Sequence, residues 1–413
     1  MKSTTVLDRI EIPAEAMKAD AETLYEVLQQ VEDRRKARGK RYSVALVLTL
    51  LLLAKMAGEN TVSGSAQWVR LRLNWIREHL PLKQDRLPCG NTYQYVCDHI
   101  NMDELNQRLA KFFAPDVVQE SPSSASPQEM GESAPPQEVP ESVPLRQWIL
   151  DGKTLCGTHR PARGQPAQSV LSLYDVDAQC VMVQRELAGK GHERATALAL
   201  VQVLDLTGIL LSADALHTTP AWCQQVRRQG GHFLLIAKAN QRLLRADIAL
   251  LFSEEPRPWL PEQNASQIAQ GHGRLEVRTL RTSSQLNGYL APKWSDVGQV
   301  FQLQRRTTRH QRTTTEIVYG LTSLPEQVAP PHQLLHYIRR YWHIENRLHW
   351  RRDATLGEDA CTVSRGQTLL VLATLNNVIL ALADRIGVTN LAAQQRIFDA
   401  RPNEALNLIL HPI

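Results

Sequence analysis

Between Ala114 and Leu145 the chain carries seven prolines, six serines, six acids and no lysine or arginine. Such a stretch cannot bury enough apolar surface to offset the entropy of ordering it. It therefore reads as an extended acidic linker, and it divides the 413 residues into a part at 1–113 and a part at 146–413. The six acids of the linker account for −6, so the remainder carries +11 against a whole-chain charge of +5. A basic folded body points to a polyanionic partner.

The first part has helical spacing throughout. Leu24, Val27, Leu28 and Val31 share one face of a helix over 21–31. A basic loop follows, Arg34-Arg35-Lys36-Ala37-Arg38-Gly39-Lys40-Arg41, with six cations in eight residues. An apolar helix is expected over about 43–57, and another over about 65–80 carrying Trp68, Arg70, Arg72, Trp75 and Arg77. Shorter helices are expected to start at Asn91 and Asp103, both good N-caps. Beside these cations, the basic loop suits contact with a DNA backbone; a merely solvated loop is the alternative.

The second part opens with a different grammar. Trp148-Ile149-Leu150 runs into Asp151, and Ile209 to Ala213 runs into Asp214. Strands are expected at 148–150, 169–175 and 180–187, a helix at 193–206, a strand at 209–214, a helix at 220–229 and a strand at 232–237. After an interruption, strands are expected at 274–282, 300–307 and 315–321. Helices follow at 333–352, 367–385 and 391–400. Two acids thus end two apolar strands, where the loops of an α/β sheet gather functional groups. A third, Glu345, shares a helical stripe with Tyr341, Trp342, His349 and Asp353. Three convergent carboxylates suit hard cations such as Mg²⁺ or Mn²⁺. Two such ions about 3.5–4 Å apart can drive phosphodiester cleavage without a protein nucleophile. For each acid taken alone, a turn or salt-bridge role is the alternative.

Other chemistries find no footing. The six cysteines include no C-x-x-C pair and are expected to be free thiols. His343-Ile344-Glu345 lacks the P-C-x-x-C that a zinc deaminase needs. No G-x-S-x-G elbow or Walker loop is present. The apolar runs at 44–54 and 368–383 read as buried core helices rather than membrane spans, and a cytoplasmic, nucleoid-associated protein is expected.

Asp151-Gly152-Lys153-Thr154-Leu155, Ala213-Asp214-Ala215-Leu216-His217-Thr218 and Trp342-His343-Ile344-Glu345-Asn346-Arg347-Leu348-His349-Trp350 resemble the signatures of bacterial DDE insertion-sequence transposases. The resemblance is to the ISAs subgroup of the IS-four-like superfamily, with the H-repeat-associated proteins. Ala237-Lys238-Ala239-Asn240-Gln241 and Gly357-Glu358-Asp359 match too, and the basic loop is similar to part of the family's N-terminal associated domain. The resemblance implies an α/β, RNase H-like catalytic core with a β-rich insertion at about 253–330, preceded by a small all-helical domain. It implies Asp151, Asp214 and Glu345 as a triad holding Mg²⁺ or Mn²⁺, with His217, Asn346, His349 and Asp353 in support.

The implied reaction is cleavage at the element's ends followed by strand transfer. The implied partners are double-stranded DNA with terminal inverted repeats, target DNA and a second copy of the chain; no membrane is involved. The wider superfamily often has Tyr, Arg, Glu and Lys around the glutamate, and here those positions hold Ile338, Tyr341, Glu345 and Arg352. DNA contacts are expected at Arg34, Arg35, Lys36, Arg38, Lys40, Arg41, Lys153, Lys238, Arg305, Arg306, Arg309, Arg340 and Arg352. Arg339, Arg347 and Arg351 are expected to line the same groove. For the helix arginines, pairing with nearby carboxylates is the alternative. For the whole protein, the alternatives are an inactive or domesticated remnant that only binds DNA, and a repair nuclease cutting branched DNA.

Overall fold

A computed structural model of the chain describes residues 22–36, 40–82, 86–116, 145–253 and 263–412, apart from 161, 163, 165, 190, 272, 311, 364 and 365. Arg38 and all but the ends of the acidic linker lie outside these residues.

The first region is helical: α1 (Leu24–Gln29), α2 (Val44–Met56), α3 (Val62–Leu71), α4 (Leu73–His79), α5 (Gly90–Cys97) and α6 (Met102–Phe113). Thr23 caps α1 in a reciprocal pair with Glu26, and Ser43 accepts from Leu46 N to start α2. The helix expected over 65–80 is two, broken at Arg72. The last short helix is capped by Asn101 rather than by Asp103. All of α2 is buried, as a helix apolar on every side must be.

The second region contains β1 (Arg146–Leu155), β2 (Gln168–Asp175), β3 (Cys180–Leu187), α7 (Glu193–Val201), β4 (Ile209–Ala213), α8 (Pro220–Arg228) and β5 (His232–Ala237). It continues through α9 (Arg242–Ser253), β6 (Gln263–Gly271), β7 (Arg274–Ser283), α10 (Asn287–Leu290), β8 (Gln299–Arg309) and β9 (Arg312–Thr322). The nine strands form one sheet in the order β3-β2-β1-β4-β5-β9-β8-β7-β6. β1, β4 and β5 run parallel, and every other pairing is antiparallel. The expected β-rich insertion therefore does not stand apart: β9 pairs with β5 and carries the sheet onward as an antiparallel meander. The sequence pattern does not announce α9, β6 or α10, nor the last helix at Pro402–Leu410.

The chain closes with α11 (Pro331–Tyr341), a six-residue π-helical segment (Ile344–His349), α12 (Trp350–Ala354), α13 (Thr368–Arg385), α14 (Leu391–Ala400) and α15 (Pro402–Leu410). The single helix expected over 333–352 is thus interrupted, and Trp350 N donates to Glu345 O across the wide turn. α13 is long and apolar enough to cross a bilayer, yet 83% of that stretch is buried inside the protein.

The linker separates the two regions in sequence but not in packing. α14 and α15 contact α2. Trp68 Nε1 and Arg72 Nη2 both donate to Asp399 of α14, at 2.8 and 2.7 Å. Trp68 and Arg72 accordingly face α14. Asp98 accepts from the N-terminus of α13 at Thr368, and Arg385 at its other end donates to the carbonyls of Phe112 and Phe113.

One α2 side chain is out of keeping with its apolar surroundings. Lys55 is 3% exposed, near Glu358 and Cys361, and burial holds its amine down at about 8, against an ordinary 10.5. In the unfolded chain the amine keeps its proton to about 10.5. Between these pH values the unfolded state binds more protons, and the contribution of Lys55 to stability rises with pH. Lys55→Met is expected to stabilise the fold at pH 7 by up to roughly 3 kcal/mol, and so to raise the thermal midpoint. This advantage should fade between pH 8 and 10.5, which thermal unfolding of both proteins across that range checks.

Candidate active site

The parallel register of β1 against β4 pairs Leu150 with Ala213. The next residue on each strand is an acid, Asp151 and Asp214, so the two carboxylates leave adjacent strands at the same level. Asp214 also caps the short turn that follows, its Oδ1 accepting from Leu216 N at 2.5 Å. Glu345 approaches from the π-helical segment. All three acids line one cavity of about 1100 Å³. Ligand atoms of Asp151, Glu345 and His349 lie within 4.8 Å of one another.

The imidazole of His349 is buried, and its Nε2 donates to Asp151 Oδ2 at 3.0 Å. Its Nδ1 has no hydrogen-bond partner among the described residues. Lys153, two residues beyond Asp151, donates to Asp353 Oδ2 at 2.6 Å and lies 3.7 Å from Asp359. These contacts hold the end of β1 against the segment bearing Glu345. The stripe read from sequence thus reaches β1 through Glu345, His349 and Asp353, although the helix beneath it is interrupted.

The Tyr341 phenol also lines the cavity, and its pKa is pushed well above the usual range. Burial is the first cause, and the carboxylates of Asp151, Asp214, Glu345 and Glu193 add to it. His343, in the same wall, is held down at about 4 by burial and by Arg347, Arg340, His336 and Arg339, and is neutral at pH 7.

The opposite wall is the extended sheet. Arg274, Glu276 and Arg278 of β7, Leu303, Arg305 and Thr307 of β8, and Glu316 and Val318 of β9 face the cavity at alternate positions. Register places Arg278 beside Arg305 and Arg305 beside Glu316. Arg305 pairs with Glu316, and its guanidinium lies 5.8 Å from the ring of Trp342. The pleat divides the expected arginine cluster: Arg305 lines the cavity, whereas Arg306, one position along, lies outside its lining and is exposed. Arg309 is exposed at the strand end, beside His310 with φ +45°.

Several expected DNA contacts are structural. Arg352 is fully buried, donating from Nε to Glu358 Oε2 at 2.7 Å, and Asn376 holds the other oxygen of Glu358. Arg35 is buried, paired with Asp33 and donating to Tyr42 O. Lys153 is buried in its pair with Asp353. These three are withdrawn from the DNA-contacting set, because a buried, paired cation cannot reach a phosphate. Arg351 forms a two-pronged pair with Asp384, and Arg340 pairs with Asp177 while still lining the cavity. For these helix arginines the carboxylate-pairing alternative holds.

Exposed cations remain at Arg34, Lys36, Lys40, Arg41 and Lys238, the last lining the cavity. Arg34 pairs with Glu32, and Lys40 donates to Asp33 O. Asn346 lines the cavity and donates to Trp342 O. His217 is buried, 3.4 Å from Glu193 Oε1. Glu193 and Glu276 were not singled out from the sequence: the first opens a helix like any N-terminal glutamate, and the second is one polar residue of an alternating strand.

The chain matches the family described as "Transposase DDE domain" over residues 145–382, and "DDE_Tnp_1-associated" over residues 25–113. It belongs to the DDE transposase family. Within that family it is of the H-repeat-associated type, a transposase of an insertion sequence. An uncharacterised protein of the dhlA 3′ region of Xanthobacter autotrophicus is 24% identical over 75% of this chain and 96% of its own length. The H repeat-associated protein YhhI of Escherichia coli K12, named as a candidate transposase, is 27% identical over 55% of this chain and 61% of its own. YncI of Escherichia coli O157:H7, also named as a candidate transposase, is 20% identical over 87% of both chains.

Arg352→Ala would leave Glu358 buried without its cation, and is expected to cost about 3–5 kcal/mol of stability. Denaturant unfolding should show this loss, with no separate weakening of DNA affinity per folded molecule.

Proposed function

We propose that this transposase is a metal-dependent nuclease and strand transferase with an RNase H-like core, and that Asp151, Asp214 and Glu345 are its catalytic acids. The observation that carries the reading is the convergence of these three acids, from segments 63 and 131 positions apart, on one cavity. The strand order β3-β2-β1-β4-β5, with only β2 antiparallel to the other four, supports the RNase H-like core.

The donor set fits Mg²⁺ or Mn²⁺. Carboxylate oxygens are hard ligands, the described residues bring no cysteine sulfur into the cavity lining, and Asp151 and Glu345 are close enough to share an ion. Bound there, divalent cations, two in the fullest form of the reading, supply an activated water and stabilise the leaving oxygen. The protein's own part is positional. The β1–β4 register aligns Asp151 and Asp214; His349 orients the Asp151 carboxylate; Lys153 and Asp353 fix the end of β1 against α12.

The arginine wall facing the acids suits a phosphate backbone, with Arg274, Arg278 and Arg305 on the sheet side and Lys238 in the same lining. Terminal inverted repeats, target DNA and a second protomer at synapsis complete the proposed partners. A remnant that only binds DNA would have no use for a preserved acid set facing this wall.

Asp151→Asn, Asp214→Asn and Glu345→Gln are each expected to abolish Mg²⁺-dependent nicking of DNA bearing the cognate ends, a loss of at least about 10³-fold, while DNA retention in a gel-shift assay changes little. Wild-type cleavage by any one variant overturns the assignment of that acid.

A further inference from the structure

A fourth carboxylate stands at this centre that neither the signature motifs nor the cavity lining names. Glu193 is the first residue of α7, the helix that follows β3. Its carboxylate lies against the backbone immediately after Asp151: a Cβ built on Gly152 would fall 2.6 Å from Glu193 Cδ and 2.7 Å from each of its oxygens. The missing side chain at 152 is therefore what admits this carboxylate beside the strand end.

On its other flank, Glu193 Oε1 lies 3.4 Å from Nε2 of His217, three residues after Asp214. His217 is 2% exposed and packs on Trp222, with ring centroids 4.9 Å apart. Among the described residues no lysine or arginine pairs with Glu193, and His217 is its ionic neighbour. A carboxylate held against the backbone next to Asp151 without a lysine or arginine of its own is in an unfavourable place, unless a cation from solution joins it.

Two further observations point to such a cation. The ligand atoms of Asp151, Glu345 and His349 already cluster within 4.8 Å. The buried His349 ring has an Nδ1 with no partner.

We propose that Glu193 is a further metal ligand of the centre, sharing a divalent cation with Asp151, and that Gly152 and His217 are positioning residues that admit and orient it. This rests on the three-acid reading above and extends it. A glutamate serving only to favour the helix dipole would need neither the space at Gly152 nor the histidine.

Mn²⁺ binding to the full chain, followed by the electron paramagnetic resonance signal of the free ion, tests the proposal. Glu193→Gln and Gly152→Ala are each expected to weaken Mn²⁺ binding at least about tenfold, the lower bound for losing even an outer-shell partner. Gly152→Ala does so with Glu193 intact, by displacing its carboxylate. The thermal midpoint of metal-free Glu193→Gln should equal or exceed that of the wild type, since one of four like charges is gone; a purely structural role would lower it. Asp151→Asn is the control. If Asp151→Asn loses Mn²⁺ while Glu193→Gln and Gly152→Ala bind it as the wild type does, the proposal for Glu193 is overturned and the three-acid reading stands. If Asp151→Asn also binds normally, both fall.

Discussion

The parallel pairing of β1 with β4 is the constraint on which the rest of the centre depends. Parallel strands exchange hydrogen bonds in a fixed register, and here that register sets Leu150 opposite Ala213. Because Asp151 and Asp214 each follow by one residue, the sheet itself delivers two carboxylates to one edge. Both strands are buried apolar runs flanked by β2 and β5. A slip of one residue would move Ile149 and Leu211 to the opposite, differently packed face of the sheet, so side-chain packing enforces the alignment of the acids.

Glu345 cannot be placed by the sheet, and the protein uses other means. The wide turn at 344–349 directs Leu348 and His349 inward while Glu345 stays exposed at the cavity. π-helical turns are rare and gather at functional sites. Behind this turn the chain is anchored twice: Lys153 joins β1 to Asp353, and the buried Arg352–Glu358–Asn376 network joins α12 to α13. α13 in turn is held at both ends by the N-terminal helices. The helical region is thereby mechanically connected to the position of the third acid.

The parts of this arrangement that were legible in the sequence are those governed by local periodicity. An apolar run meeting an acid announces a strand and a candidate site at Asp151 and Asp214, although β1 continues past its acid to Leu155. The second and third strands and their turn near Asp177 follow from alternation. β6 was not legible, because Gln263–Gly271 is polar on both faces, with its one large apolar residue, Ile268, 69% exposed. The extension of one sheet through β9 was not legible either, since it depends on a pairing between Leu235 and Leu321. Nor does a count of arginines separate those that line the cavity from those that hold the fold. Arg305 and Arg352 look alike in sequence, and only burial and the placement of Glu316 and Glu358 distinguish them. The importance of Gly152 was hidden for the same reason: it is defined by a carboxylate 41 positions away.

The cavity is built from opposing charges kept apart. One side gathers carboxylates around Asp151, and the other presents Arg274, Arg278, Arg305 and Arg339, tempered by Glu276 and Glu316. If the walls met directly, the arginines would neutralise the acids and leave nothing for a cation or a phosphate to do. The nine-stranded sheet prevents this by carrying much of both walls in one continuous piece: Asp151 lies within β1, Asp214 directly follows β4, and Arg274, Arg278 and Arg305 stand on β7 and β8, three to five strands along. A phosphodiester entering between them would find its backbone charge met from one side, while the acids on the other stay available to metal ions. Separation imposed by covalent and hydrogen-bonded structure, rather than by any single ion pair, is what lets a net basic protein keep an acidic centre.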